Sequence, residues 1–407
     1  MMNKNIVILC IENGSPSGVV RYIQMLTEGL ENQTNIKTHI ICLNTNLIFP
    51  ELKVVEGRFI ANLPYSSMAK PLKDETYWLA KYFGTVSDLL IPYLKNMEQV
   101  IWHVQELILV KLAYLLKLSL GGYVLTHLHI IPWKFNIEYN ENHFKALYSQ
   151  WIHNIFTEIS NNRLENIAYP LSDKIICVSY SAMKHLVSVY NINPKRISVI
   201  YNGLNKIKIP LKRKKTFPEL LFVGRVSREK GVINLLNALN IVNYRGYVFN
   251  LKLVGQCTTQ MATHIHKTYK KLNIELLGAV SFDQLKDIYS KSTIGIVPSL
   301  HEQCSYVAIE MSMFGLPTIV SDVDALSEMF EDNINALKIP LIFDEDFGLQ
   351  LDEERLADAI IRLINDKALR QKLSINAIKN YNERFTLENM IQNTINLYKQ
   401  IIEEHNA

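Results

Sequence analysis

Short apolar runs rich in Val, Ile and Leu alternate with helix-length segments, first from residue 6 to 199 and again from residue 220 to 338. Such runs are typical of parallel strands that helices cover on both faces. We therefore predict an α/β chain with two parallel sheets. The strands are predicted at residues 5–10, 39–43, 99–104, 123–126, 174–178 and 197–200 in the first half, and at 220–223, 249–254, 274–277, 294–297, 318–320 and 336–338 in the second.

The alternation is interrupted between residues 206 and 218, which predicts a boundary between two domains. A chain of 407 residues is long enough for both domains to bury a core. We predict a first domain at 1–205, a basic linker at 206–218, a second domain at 219–385 and a C-terminal helix at 386–407. Solvation explains the charges of the linker, with contact to an acidic lipid or to an acceptor as the alternative. These charges are Lys206, Lys208, Lys212, Arg213, Lys214 and Lys215.

Charge and cysteine usage exclude some classes of protein. The net charge is only +4, because 43 basic residues are nearly balanced by 39 acidic ones, and a dedicated nucleic-acid-binding protein is expected to be more basic. The five cysteines lie far apart without the paired spacing of a metal site, so we interpret them as free thiols in a reducing cytoplasm. The first apolar run is too short for a signal peptide, and no export signal is expected.

The most apolar tract, residues 107–120, is interrupted by Lys111 and Lys117 and is too short to span a bilayer. We predict a half-buried helix. A packed crossover helix is the favoured interpretation, and a helix lying on a membrane surface is the alternative. The expected location is therefore the cytoplasm, and peripheral contact with the inner membrane surface is the alternative.

Two carboxylates lie eight positions apart in residues 298–323. Glu302 follows the predicted strand 294–297, and Glu310 lies inside a helix predicted at 306–314. Both can therefore line one crevice. Because carboxylates accept hydrogen bonds from polyols, Glu310 suits a ribose diol and Glu302 suits the hydroxyls of a sugar. The alternative is an ordinary strand, loop and helix with two solvated glutamates.

The start of the same helix predicts an anion site. Its first backbone N–H groups have no partner within the helix, and the helix dipole favours negative charge at that end. These groups lie near Cys304, Ser305 and Tyr306. A pyrophosphate suits this position.

Residues 315–322 read Gly-Leu-Pro-Thr-Ile-Val-Ser-Asp. Together with the two glutamates, they resemble the donor-binding motif of the retaining GT-B fold glycosyltransferases in the large "glycosyl transferases group 1" family (family 4 type). In that family Glu, seven residues and Glu are followed by Gly-Leu-Pro-Val-Ile-Ala-Ser-Asp. One departure is Gln303, Cys304 and Ser305, where the family usually has Gly-Phe-Gly. This departure places side chains where the backbone usually approaches the sugar. It therefore affects which donor sugar the protein is expected to use.

The resemblance implies an architecture and an activity. The expected fold is GT-B, with two Rossmann-like domains facing a central cleft and the C-terminal helix crossing back to the first domain. The expected activity moves a sugar from a nucleotide diphosphate sugar to an acceptor hydroxyl, with retention at the anomeric carbon and without a metal or cofactor. A glycan, a lipid-linked sugar, a small molecule and a peptide are all compatible acceptors.

A second motif follows the predicted strand 220–223. Gly224 and Arg225 end this strand and Lys230 precedes a helix predicted at 232–239, which resembles the family's Gly-Arg, four residues, Lys-Gly pattern. Ligands of doubly wound sheets bind at the carboxyl ends of strands, where two cations can neutralise a leaving diphosphate. The alternative is a surface turn with solvated cations.

Two features of the first half complete the predicted site. The resemblance implies that Gly18, after the first strand, approaches the donor diphosphate or the acceptor; a plain tight turn is the alternative. It also places a histidine near the reacting carbon after strand 123–126, for which His129 is our candidate while His127 stays open. A zinc site is not expected, because no third ligand has suitable spacing.

The predicted catalytic residues are His129, Arg225, Lys230 and Glu302, and the predicted donor-binding residues are Gly18, Gly224, Arg225, Lys230, Glu302, Cys304, Ser305, Tyr306 and Glu310. Two other functions stay open. A catalytically silent binding partner of the same fold is compatible with the altered loop after Glu302. A sugar-nucleotide epimerase would reveal itself by forming an epimerised nucleotide sugar without any acceptor.

Overall fold

The computed structural model describes residues 4–12, 17–31, 36–44, 46–65, 75–131, 162–208, 217–344 and 348–404. These residues form two compact units, each built around a mainly parallel sheet. Unit 1 contains the described residues up to 131, residues 162–202 and residues 387–404, and unit 2 contains those from 203 to 386. The prediction of two Rossmann-like α/β domains is confirmed.

An eight-stranded sheet forms the centre of unit 1. It is ordered β3-β4-β2-β1-β5-β6-β7-β8, and every neighbouring pair is parallel except β3 and β4. In chain order its strands are β1 (Lys4–Glu12), β2 (Ile36–Asn44), β3 (Glu51–Val55), β4 (Arg58–Pro64), β5 (Val100–Val104), β6 (Tyr123–Leu128), β7 (Lys174–Cys177) and β8 (Ile197–Val199).

The edge hairpin of β3 and β4 is missing from the sequence prediction. Four of the five residues of β3 are exposed, so the strand lacks the continuous apolar run that predicts the others. The hairpin turns at Glu56 and Gly57, which both have positive φ, 50° and 74°. This is the conformation of a two-residue hairpin turn.

Helices cover the sheet of unit 1. They are α1 (Gly18–Glu31), α2 (Glu75–Leu94), α3 (Val110–Leu120), α4 (Asn162–Leu171) and α5 (Tyr180–Tyr190). The apolar tract at 107–120 forms one 3₁₀ turn and then α3, as the sequence predicts. Leu112 and Leu116 of α3 are fully buried, whereas Lys117 Nζ lies 2.6 Å from Asp173 Oδ1. Within the described part of the chain, no helix combines the length and apolar character needed to cross a membrane.

Unit 2 contains a six-stranded parallel sheet in the order β11-β10-β9-β12-β13-β14 and a separate two-stranded hairpin. The sheet strands are β9 (Glu219–Val223), β10 (Asn250–Val254), β11 (Ile274–Gly278), β12 (Ile294–Val297), β13 (Thr318–Ser321) and β14 (Leu337–Ile339), and the hairpin is β15 (Leu341–Asp344) with β16 (Gly348–Leu351). The helices are α6 (Val232–Tyr244), α7 (Thr259–Thr268), α8 (Phe282–Lys291), α9 (Tyr306–Met313), α10 (Asp324–Met329), α11 (Glu353–Asn365) and α12 (Lys367–Arg384).

The last helix, α13 (Leu387–Glu404), belongs to unit 1, as predicted. It packs closely on α1, because a Cβ at Gly29 would lie 2.4 Å from Ile391 Cγ1. Its Tyr398 hydroxyl lies 2.8 Å from His103 Nδ1 at the end of β5, and both residues are fully buried. The chain therefore completes its first unit with its last helix.

Candidate functional site

The site candidates of unit 2 lie where the strand order reverses. β9 and β12 are neighbours, but β10 and β11 extend the sheet on one side and β13 and β14 extend it on the other. Such a switch point opens a crevice at the carboxyl ends of the strands, where ligands of doubly wound sheets bind. Residues 224–231 follow β9 and residues 298–305 follow β12. Both predicted motifs therefore meet at this one point.

The loop after β9 depends on glycine. Gly231 has a φ of 67°, and a Cβ at this residue would lie 1.8 Å from the carbonyl oxygen of Pro298. Only glycine therefore lets this loop touch the backbone that follows β12. The Leu300 N–H also donates to the Glu229 carbonyl over 3.0 Å. The two loops are joined backbone to backbone, which fixes the position of Lys230 between them.

A second close backbone contact involves the predicted residue Gly224. Its N–H donates to the Val254 carbonyl over 2.8 Å, and a Cβ at Gly255 would lie 2.0 Å from the Gly224 oxygen. The ends of β9 and β10 thus pack with no room for a side chain. Gly255 is not among the residues predicted from the sequence, although a glycine directly after a buried strand is a signal of close backbone approach.

The structure brings two predicted catalytic residues together. Lys230 Nζ lies 2.6 Å from Glu302 Oε1, and the Ser299 hydroxyl donates to the same oxygen over 3.0 Å. The side chains of Lys230 and Glu302 are 27% and 13% exposed, so the pair is sheltered but still reached by solvent. An anion can approach the ammonium group while a carboxylate acceptor stands beside it.

Arg225 adds a second positive charge to the loop after β9. Its side chain is exposed, whereas Lys230 is half-buried. A hydrogen bond with Ser227 lowers the pKa of Glu229, and the charges of Arg225 and Lys230 lower that pKa further. Both cations therefore lie close enough to Glu229 to favour its charged form.

The predicted helix at 306–314 is α9, and Ser305 is its N-cap. The Ser305 hydroxyl accepts a hydrogen bond from the Ala308 N–H over 3.4 Å, and its carbonyl accepts one from the Ile309 N–H over 3.1 Å. Serine is favoured here because its hydroxyl satisfies an N–H group that the helix leaves without a partner. The positive end of the α9 dipole therefore lies at Ser305 and Tyr306, where the sequence analysis places an anion.

Glu310 is less accessible than its predicted role suggests. It is 1% exposed, and its Oε2 accepts a hydrogen bond from the Tyr289 hydroxyl of α8 over 2.7 Å. The structure thus pairs Glu310 with Tyr289, whereas Glu302 is paired with Lys230. Cys304 is also buried, at 9% exposure. The contacts predicted for Glu310 and Cys304 with a donor stay predictions.

Unit 1 holds the other two predicted residues. Gly18 is the exposed first residue of α1, and Ser17 precedes it as a cap. The Ser17 hydroxyl accepts from the Val20 N–H over 3.2 Å, and its carbonyl accepts from the Arg21 N–H over 3.1 Å. Ser17 was not singled out by the sequence analysis, although serine before a helix is a capping signal. The preceding residues 14–16 of the motif lie outside the described residues.

The two candidate histidines at the end of β6 differ in exposure. His127 is 1% exposed, whereas His129 is half-buried. Their rings stack with centroids 4.2 Å apart, and the rings of His103 and His127 stack with centroids 5.6 Å apart. Burial lowers the pKa of His129 to about 3, so this ring is neutral at physiological pH. Of the two, His129 is the one that solvent reaches.

Gln105 fixes which nitrogen of His129 carries the hydrogen. Gln105 Oε1 lies 2.9 Å from His129 Nε2, and Gln105 is 2% exposed. A carboxamide oxygen only accepts, so Nε2 donates and Nδ1 of the neutral ring is left as an acceptor. Gln105 is absent from the sequence analysis, because nothing local to residue 105 indicates a contact with residue 129.

A metal site does not form from these residues. Among the described residues, no three His, Cys, Asp or Glu side chains are grouped as a metal ion would require. His103, His127 and His129 stack face over face, so their nitrogens do not converge on one point.

Comparison with known proteins identifies the family. The sequence model described as "Glycosyltransferase Family 4" matches residues 16–206, and the one described as "Glycosyl transferases group 1" matches residues 205–380. The chain belongs to the glycosyl transferases group 1 family. The paired residues Lys230 and Glu302 and the capped helix α9 lie within the group 1 match.

Relatives of this group 1 chain include an uncharacterized glycosyltransferase of Methanocaldococcus jannaschii, 27% identical over 250 residues, 57% of this chain and 61% of the relative. Sucrose-phosphate synthase from Thermosynechococcus elongatus has a TM-score of 0.75 and 17% identity, over 99% of this chain and 100% of that one. Anabaena HepE in complex with UDP and glucose has a TM-score of 0.66 and 13% identity, over 96% and 99%. The solved structures show the shared GT-B fold.

Proposed function

We propose that this chain transfers a sugar from a nucleotide diphosphate sugar to an acceptor hydroxyl, with retention at the anomeric carbon. The observation that carries the proposal is the pair of Lys230 and Glu302 at the switch point of unit 2. The ammonium group of Lys230 suits a diphosphate, and the carboxylate of Glu302 suits a sugar hydroxyl. Membership of the group 1 family supports the reaction class. The complex of Anabaena HepE with UDP and glucose supports a nucleotide sugar as donor.

Departure of the diphosphate requires compensation of its growing negative charge. Arg225 can form a fork to two phosphate oxygens, and Lys230 acts as a compact charge that moves with the leaving group. The dipole of α9 adds a third source of positive potential at Ser305. The proposed reaction therefore uses charges of the protein and needs no metal ion or cofactor beyond the donor.

In the proposed step, the bond between the anomeric carbon and the leaving phosphate oxygen breaks. The acceptor oxygen bonds to the same carbon on the same face, and the leaving phosphate takes the acceptor's proton. Retention is supported by the resemblance of the segment from Glu302 to Glu310 to the motif of retaining enzymes. His129 offers Nδ1 as an acceptor to a sugar hydroxyl, and Gly18 is assigned to the diphosphate or the acceptor. The product is a glycan or another glycoconjugate.

The first test is release of nucleoside diphosphate from a panel of UDP-, GDP- and ADP-sugars. Wild type is compared with Arg225→Ala, Lys230→Ala and Glu310→Ala. We expect release from one donor by the wild type and a loss of roughly 100-fold or more for Arg225→Ala and Lys230→Ala. Lys291→Ala in α8 is the matched control, because its side chain is 30% exposed and also paired with a carboxylate.

Two outcomes would contradict the proposal. If no donor releases nucleoside diphosphate and calorimetry detects no binding, the chain is a silent partner of the same fold. If an epimerised nucleotide sugar forms without acceptor, the chain is an epimerase. Equal loss of activity in Lys291→Ala would show that the effect of Lys230→Ala is not specific to the site.

A further inference from the structure

Three contacting polar side chains lie beside Glu302, of which His301 and Gln303 are buried and Asp324 is half-buried. His301 Nδ1 contacts Asp324 Oδ2, and His301 Nε2 lies 3.4 Å from Gln303 Nε2. His301 and Gln303 are each 5% exposed. His301 and Gln303 flank Glu302 in sequence and belong to the loop that follows β12, whereas Asp324 is the first residue of α10.

The backbone at Asp324 supports this arrangement. Asp324 has a φ of 40°, in the left-handed region that non-glycine residues seldom adopt. The next N–H, from Ala325, donates to the Glu302 carbonyl over 3.2 Å. The turn at Asp324 is thereby tied to the loop after β12. Strain of this kind is typical of functional sites, where the surrounding structure holds a residue in an unfavoured conformation.

The carboxylate of Asp324 determines where the hydrogens of this group of side chains lie. A carboxylate only accepts, so His301 Nδ1 carries the hydrogen toward Asp324. In a neutral ring, Nε2 is then an acceptor, and the Gln303 amide N–H group donates to it. The Gln303 amide is therefore oriented with Nε2 toward His301, and its Oε1 takes no part in that contact.

The Gln303 Oε1 atom is buried and has no hydrogen-bond partner among the described residues. A buried carbonyl oxygen without a partner costs free energy, and such atoms in folded proteins call for an explanation. The oxygen therefore lacks a hydrogen-bond donor that a ligand can supply. A ligand hydroxyl is a suitable one, because an amide oxygen attracts a hydrogen-bond donor and not an anion.

We propose that Gln303 is a specificity-determining residue whose Oε1 accepts a hydrogen bond from one hydroxyl of the donor sugar, oriented through His301 and Asp324. This inference rests on the proposed function, because it places the sugar beside Glu302. Gln303 is one of the three residues that stand where the resembling family usually has Gly-Phe-Gly, and a glycine at this position has no side chain to make the contact. A site that hydrogen-bonds one hydroxyl rejects donors that lack it, because Oε1 is then left unpaired.

The test is calorimetric binding to the full chain. The ligands are the nucleoside diphosphate alone, the matching nucleotide sugar, and analogues in which one sugar hydroxyl at a time is replaced by hydrogen. Wild type is compared with Gln303→Met, a near-isostere without the amide, and with Asp324→Asn. The control is Gln392→Met, which removes an exposed amide of α13 that contacts Asn396.

We expect Gln303→Met to bind the nucleoside diphosphate as the wild type does and the nucleotide sugar roughly 10-fold more weakly. With one deoxy analogue, wild type and Gln303→Met bind equally, which identifies the hydroxyl. Asp324→Asn weakens binding of the nucleotide sugar in the same direction, because an amide at residue 324 no longer fixes the hydrogen on His301.

Each failure has a distinct meaning. If the wild type binds no nucleoside diphosphate, the proposed function fails. If it binds nucleoside diphosphates but Gln303→Met treats every sugar and analogue as the wild type does, the assignment of Gln303 is wrong.

Discussion

Lys230 Nζ lies 2.6 Å from Glu302 Oε1, although the two residues are 72 positions apart in the chain. Backbone contacts impose this proximity, since Gly231 packs against Pro298 and the Leu300 N–H donates to Glu229. The ammonium group is already paired with a carboxylate, so an arriving diphosphate has to share it. The pair therefore sets a balance between binding of the phosphates and binding of the sugar.

The first prediction tests this balance with Glu302→Gln. The amide has the same shape but no charge, so Lys230 becomes fully available to a diphosphate. We expect the nucleoside diphosphate alone to bind roughly 5-fold more tightly, in line with about 1 kcal/mol for a partly exposed ion pair. Transfer should fall roughly 100-fold, because the carboxylate acceptor for the sugar is lost. Calorimetry and steady-state rates measure the two effects.

A matched change elsewhere separates the site from general charge effects. Asp287→Asn frees Lys291 from a similar pair on α8. It should leave both nucleoside diphosphate affinity and turnover unchanged. Weaker nucleoside diphosphate binding in Glu302→Gln would show that Glu302 orients Lys230 and does not compete for it.

The strands and loops of the site follow from local sequence. β9 and β12 are short apolar runs ended by a glycine or a proline, and their motifs follow directly. A parallel sheet places both loops at one edge, so the shared location of Lys230 and Glu302 could be predicted. Strand β3 could not be predicted in this way, because an exposed edge strand lacks an apolar run.

The contacts that define the site depend on pairs distant in sequence. The hydroxyl of Tyr289 on α8 reaches Glu310 on α9, and Gln105 reaches His129. Neither member of these pairs carries a local signal for the other, because each contact arises from the packing of separate elements. The burial of Glu310 therefore appears only in the folded chain, whereas its position inside a helix was predictable.

The second prediction concerns Gly231→Ala. A methyl group at this residue would overlap the Pro298 carbonyl oxygen, whereas at Gly246 nothing lies within 4 Å. Both glycines have positive φ, 67° and 86°, so Gly246→Ala isolates the conformational cost, about 1 kcal/mol. We expect Gly231→Ala to lower the free energy of unfolding by clearly more than Gly246→Ala in urea titrations. Equal losses would mean that the loops tolerate separation at this contact.

The third prediction concerns the attachment of α13 to its own unit. Tyr398→Phe removes the hydroxyl that contacts buried His103 and leaves an unpaired ring nitrogen. We expect a loss of about 1–3 kcal/mol in the free energy of unfolding. Tyr244→Phe is the control, because Tyr244 is 92% exposed. An equally small effect in both variants would indicate that water replaces the hydroxyl at His103.

The fourth prediction is a pH dependence of stability centred on Glu165 in α4. This residue is fully buried and accepts a hydrogen bond from the Tyr190 hydroxyl. Burial raises the pKa of Glu165 from 4.5 to about 7, an effect that the Tyr190 contact reduces. The folded chain therefore holds a proton that the unfolded chain releases between these two pH values. Stability from this group is full below pH 4.5 and is lost as pH rises to about 7.

Glu165→Gln keeps the acceptor for Tyr190 but cannot ionise, so it isolates this contribution from all other titrating groups. Relative to the variant, the wild type should lose about 3 kcal/mol of unfolding free energy between pH 4.5 and 7. Urea titrations of both proteins across this range measure the difference. A difference that stays constant with pH would show that Glu165 keeps an ordinary pKa in the folded chain, and that water or a cation reaches its carboxylate.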